Sequence, residues 1–159
     1  MYSYITDELP ELIGNNFDFD MSRQSIFGHS MGGHGALIIA LRNPKNYKSC
    51  SAFAPIVEPS TASWSSEAFK KYIGPNKKDW EKYDSVALIR DGFYFPEILV
   101  DQGEADSFLD EGLRPWLLEE ICRKSKINLK LRMHSGYDHS YFFISTFMSD
   151  HLMWHKERI

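Results

Sequence analysis

Ser25-Ile26-Phe27-Gly28-His29-Ser30-Met31-Gly32-Gly33-His34-Gly35-Ala36-Leu37 is the stretch on which the reading of the fold turns. An apolar, strand-like start passes through Gly-x-Ser-x-Gly directly into helix-forming residues. A serine on so sharp a strand-to-helix turn is held in strained backbone geometry, and glycine two residues to either side lets the flanking chains approach without clashing. The turn lifts the Ser30 hydroxyl clear of the sheet and sets it at a helix N-terminus. There the Met31 N–H points at an oxyanion forming on a substrate carbonyl. Gly32, Gly33, Gly35 and Ala36 add small residues that let this helix pack close to the sheet. The five-residue string arises by chance in roughly one protein in twenty of this length. Taken alone it leaves open a glycine-rich helix start with an idle serine, so the weight rests on the strand before it and the helix after it.

Working outward, short apolar runs at residues 24–27, 48–54, 97–101 and 128–133 have the length of strands, each followed by turn-formers or small residues. Segments of helical character lie between and after them: 33–42, 66–73, 113–124 with Pro115 in the first turn, and 140–155. In the last of these Phe143, Phe147, Met148 and Leu152 recur as on a core-facing helix. Strands alternating with helices predict an α/β architecture, a parallel sheet of about four strands flanked by helices, with chemistry at the strands' C-terminal ends. No repeat or linker interrupts residues 1–159, so a single domain is expected; Glu58 to Ser66, rich in Ser, Thr and Pro, reads as an exposed loop.

The chain's 159 residues, 43% of them hydrophobic, are enough for one buried core. A formal charge of −4 with interspersed signs offers no sustained positive field, which argues against nucleic acid and anionic membranes as partners. The N-terminus is acidic where a signal peptide would be basic, and the longest apolar run, Ala36 to Leu41, is too short to span a bilayer. With only Cys50 and Cys122, at most one internal bridge could form, so a reducing, cytoplasmic setting is the simpler reading.

A serine needs a histidine to take its proton and a carboxylate to hold that histidine in the right tautomer. In α/β-hydrolases the chain order is Ser, then acid, then His. Of the six histidines, His29 and His34 lie beside the nucleophile's own turn. His151 and His155 have the i, i+4 spacing of a metal pair, but no carboxylate or cysteine pattern completes a site, and they read as an exposed helical face. His139, in the turn-like Gly136-Tyr137-Asp138-His139-Ser140, follows the last strand and can swing over the sheet's edge. His134, at that strand's end, is second choice. For the acid, Asp106 in the loop after the third strand comes first and Asp101, at the strand's end, second as a tether for loop amides. Asp84 and Asp91 fall at the wrong end of the sheet and read as solvated.

The elbow string, Ser51-Ala52-Phe53-Ala54-Pro55-Ile56, Asp101-Gln102-Gly103 and Gly136-Tyr137-Asp138-His139-Ser140-Tyr141 together resemble the S-formylglutathione hydrolase (esterase D) family, over nearly the whole chain. Position by position, the resemblance implies Ser30 as nucleophile, Asp106 as acid and His139 as base. It implies hydrolysis of the thioester S-formylglutathione in cytosolic formaldehyde detoxification, with side activity on carboxylic esters, a small-molecule substrate, and neither metal nor organic cofactor. Trp64 falls in a region near the family's active-site entrance, where it either contacts substrate or packs the loop. The family's chains are longer at the N-terminus, whereas this sequence begins at the helix before the nucleophile strand. That departure implies a missing first half of the sheet and a missing second oxyanion donor, a loss that costs on the order of 10² to 10³ in turnover. It also leaves the nucleophile strand as an apolar edge, predicting marginal stability or self-association, for example as a homodimer.

Overall fold

Four parallel strands, β1 (Ser25–His29), β2 (Ser49–Phe53), β3 (Glu97–Gly103) and β4 (Asn128–His134), lie side by side in chain order in a computed structural model that describes all 159 residues. Consecutive parallel neighbours require crossovers, and each crossover here carries helices. Helix α1 (Leu9–Asn16) precedes β1, α2 (Met31–Arg42) joins β1 to β2, and α3 (Ser63–Tyr72), α4 (Lys77–Trp80) and α5 (Ser85–Arg90) fill the long connection to β3. Then α6 (Pro115–Ser125) joins β3 to β4, and α7 (Tyr141–Lys156) ends the fold. The expected strands and the four expected helices are all present within a few residues of their predicted ends.

The period-2 alternation of strands separates two unlike faces. Cys50, Ala52, Ile98 and Val100 point into the main core with Ala36 to Leu41 of α2, Val86, Leu88 and Ile89 of α5, and Leu118 and Cys122 of α6. Both cysteines are free and buried, and burial pushes the Cys122 thiol up to about 12. The opposite face, under α7, is partly polar. Ser25, Phe27 and His29 of β1 are in register with Ser49, Ser51 and Phe53 of β2, and Phe53 with Asp101 of β3 and in turn Arg132 of β4.

That polar face overturns the reading of His151 and His155 as exposed. His151 is completely buried and His155 nearly so. His155 bridges the hydroxyls of Ser49 (2.7 Å) and Ser51 (2.8 Å), and His151 Nδ1 meets Ser51 Oγ at 2.8 Å. The buried stripe of α7 runs through Phe143, His151, Trp154 and His155, and Leu152, expected inside, faces out. Imidazoles occupy the inner stripe because the strands beneath present serines.

Asp84, expected to be solvated, is fully buried as well. It caps α5, accepting from the Ala87 N–H at 2.9 Å, and binds the Ser60 N–H and hydroxyl; burial raises its carboxyl above the usual range. Helix α5 escaped the sequence reading because a six-residue helix, apolar through Val86-Ala87-Leu88-Ile89, displays no period. The loop around Glu58 to Ser66 is likewise less exposed than expected. Pro59, Ala62 and Ser65 are buried, α3 begins inside the loop, and Arg114 clamps it through the Glu58 carbonyl (2.6 Å) and Thr61 Oγ1 (2.8 Å). No helix is long and apolar enough to cross a membrane.

Candidate active site

The bend between β1 and α2 holds Ser30 at φ 56°, ψ −116°. L-residues other than glycine rarely adopt such a backbone, and it persists only where the surroundings over-determine it. Here the Ser30 N–H is tied to the Phe53 carbonyl at 2.8 Å and its carbonyl receives the His34 N–H at 2.9 Å. A Cβ on Gly28 would lie 2.4 Å from the Gly32 carbonyl, and one on Gly33 3.1–3.2 Å from the backbone of Gly28, Phe53 and Pro55. Close packing thus falls on Gly28 and Gly33. Gly32 and Gly35 face open space, so their smallness is not what seats the helix. Met31 begins α2, and its N–H belongs to the first turn, where donors have no acceptor within the helix.

The loop after β3 and the loop after β4 are brought together by Gly103. A Cβ there would lie 2.3 Å from the Tyr137 carbonyl oxygen, and the Ala105 N–H donates to that same oxygen at 2.9 Å. This contact delivers Asp106 to His139: His139 Nδ1 donates to Asp106 Oδ2 at 2.6 Å. The carboxylate is buried and further held by Gln102 Nε2 (3.1 Å) and the Phe108 N–H (2.9 Å). A buried carboxylate on Nδ1 selects the tautomer whose Nε2 is free for chemistry. His139 is flanked by His29 and Phe108, with ring centroids 4.5 and 5.1 Å away. Burial, and after it the nearness of His139, lowers the proton affinity of His29.

A cavity of about 400 Å³ is lined by Ser30, Trp64, Phe108, Glu111, Leu113 and His139. Ser30 and His139 share it without a direct hydrogen bond in this structure, as free enzymes often show. Trp64 rests its indole on Gly112, where an added Cβ would meet the ring at 2.6–2.9 Å, so the residue both packs the loop and walls the cavity.

The second choices lie outside this constellation. Asp101 is bound by Arg132 through two 2.6 Å hydrogen bonds rather than by loop amides, and His134 and His151 approach it at 3.3 and 3.4 Å. Its burial works against ionisation, but His151 and Arg132 outweigh it and hold the carboxyl down to about 2. His134 stacks on Phe147 at 3.7 Å. No cluster of three or more His, Cys, Asp or Glu side chains is placed to hold a metal ion. Sequence reasoning missed Gln102, Gly103, Phe108 and His29 as members of the site. Gly103 and His29 meet partners from the loop after β4, while Gln102 and Phe108 hold Asp106 within its own loop, where no sequence pattern marks them.

The Esterase family model, described as "Putative esterase", matches residues 1–154. The chain belongs to this esterase family. Among its relatives, S-formylglutathione hydrolase of Paracoccus denitrificans is 49% identical over 159 residues, covering all of the chain and 57% of the relative. The Mus musculus protein of the same name is 51% identical over 160 residues, covering 99% and 56%. A solved S-formylglutathione hydrolase from Agrobacterium tumefaciens superposes with a TM-score of 0.97 at 65% identity, covering 99% of the chain and 57% of that structure. A more distant one from Staphylococcus aureus, at 17% identity and a TM-score of 0.75 over 97% of the chain and 63% of its own, shares the fold. The chain therefore spans a little over half the length of the curated relatives it matches, and its four-stranded parallel sheet is of the α/β-hydrolase type.

Proposed function

We propose that this esterase is a serine hydrolase that cleaves S-formylglutathione to formate and glutathione, with side activity on simple carboxylic esters. The observation that carries the reading is the 2.6 Å bond from His139 Nδ1 to buried Asp106, in a cavity that Ser30 shares from a strained strand-to-helix bend. The shared name of relatives about 50% identical supports the substrate. The walls formed by Trp64, Phe108 and Leu113 suit a small acyl group.

In the reaction His139 takes the Ser30 proton as Oγ attacks the formyl carbonyl, and the Met31 N–H meets the oxyanion. Collapse breaks the C–S bond, and the glutathione thiolate leaves with the proton held by His139. Water, activated by the same imidazole, then hydrolyses the formyl-serine, while Asp106 stabilises the imidazolium in both halves. Trp64 contacts the acyl or thioester group from the cavity wall. The chemistry needs no metal or organic cofactor. Its place is the second step of cytoplasmic formaldehyde detoxification.

The test is turnover of S-formylglutathione against a short aryl ester, together with fluorophosphonate labelling, on this chain and on Ser30→Ala. Expected is thioester cleavage faster than ester cleavage, with both and the label lost in the variant. Turnover retained by Ser30→Ala removes Ser30 from the role; aryl-ester cleavage alone makes the chain a general carboxylesterase.

A further inference from the structure

We infer that His29 is a positioning residue for His139, its ring packed against the imidazole beside the edge-on contact of Phe108. The inference rests on the reading of Ser30 and His139 as nucleophile and base. His139 is held at one point by a hydrogen bond, Nδ1 to Asp106, and a ring pinned at one nitrogen can still rock about that bond. The two rings that stop it are set differently. Phe108 meets it edge-on, at 75° between planes, and His29 lies over it at 43°, with centroids 4.5 Å apart. Tyr141, at the start of α7, backs His29 from 6.4 Å.

Packing alone does not account for a histidine at this place. Its Nε2 is buried with no protein partner, a cost that a phenyl ring of similar shape avoids. What an imidazole adds is a titratable group that stays uncharged while its neighbour is charged. The ionisable groups facing His29 are His139 and Tyr141 from the loop and helix after β4 and Asp106 from the loop after β3. Burial and His139 both oppose a proton on His29, and Asp106 favours one. Asp106 is hydrogen-bonded to His139 and not to His29. His29 therefore presents a neutral ring to the imidazolium formed when Ser30 gives up its proton.

The experiment follows the ring nitrogens of His139 by NMR on ¹⁵N-histidine-labelled chain from neutral to acid pH, in the wild type, His29→Phe and His29→Ala, with fluorophosphonate labelling rates measured alongside. In the wild type His139 should keep one tautomer, with its Nδ1 protonated toward Asp106. His29→Phe, which keeps a ring in place, should keep that tautomer. His29→Ala should let the tautomers mix and slow labelling roughly tenfold or more, as small misplacements of a catalytic group do, and Phe should restore most of the rate. A His139 tautomer and labelling rate identical in all three chains overturn the inference. So does a wild-type chain in which the His139 tautomers already mix, which decides the matter even where His29→Ala fails to fold. Absence of any labelling in the wild type instead defeats the nucleophile reading, and the tautomer comparison then decides the positioning role by itself.

Discussion

Ser30 carries a backbone conformation that would cost glycine almost nothing. Strain of this kind is worth about 1–3 kcal/mol, partly offset by the extra freedom glycine has when unfolded. Ser30→Gly is therefore expected to raise stability by about 1 kcal/mol while abolishing labelling; an unchanged or lower midpoint in urea would show that the bend is relaxed. Gly103 is the opposite case, a residue with ordinary dihedrals whose missing side chain is what matters. Gly103→Ala drives a methyl group against the Tyr137 carbonyl and pushes the loop of Asp106 from the loop of His139. The expectation is a loss of about 1–3 kcal/mol, typical of overpacking, together with slower fluorophosphonate labelling. A variant that labels at the wild-type rate would mean that this contact does not set the Asp106–His139 geometry.

At the level of elements, α7 is attached to the sheet through hydrogen-bonded imidazoles as much as through apolar contacts. Burial pushes His155 down to about 4, and His34 on α2 likewise to about 4, against an ordinary 6.5. The unfolded chain takes up these protons more readily, so stability climbs with pH. The contribution is complete above about 6.5 and shrinks as pH falls toward 4, each group being worth on the order of 3 kcal/mol. The urea midpoint is expected to drop between pH 7 and pH 5, and to drop less in His155→Phe. Equal midpoints at the two pH values would refute the assignment. Because His139 lies only two residues before α7, the same acidification is expected to disturb the site as the helix loosens.

At the scale of the 159 residues, β1, which leads into the Ser30 bend, lies at one end of the four-stranded sheet. Phe27 on this strand is 41% exposed, and Tyr141 and Phe142 stand out from the start of α7. An unpaired apolar edge is a template for another strand. Sedimentation is expected to show concentration-dependent association that Phe27→Lys suppresses; a monomer at all concentrations would contradict it.

By itself the sequence determined the order of strands and helices, the parallel sheet and the strand-to-helix bend at Ser30, because apolar periodicity and glycine placement act over a few neighbouring residues. It also narrowed the acid and the base to two candidates each, since both must sit in loops after later strands. What it could not express is which side chains meet across strands. Asp101 and Asp106 look alike along the chain, and only the folded sheet puts Arg132 beside the first and His139 beside the second. His151 and His155 read as solvated for the same reason: a polar residue is buried when its partners are, and Ser49 and Ser51 reach them from about a hundred residues away. Local pattern decides the elements, and tertiary contact decides which polar groups are satisfied inside.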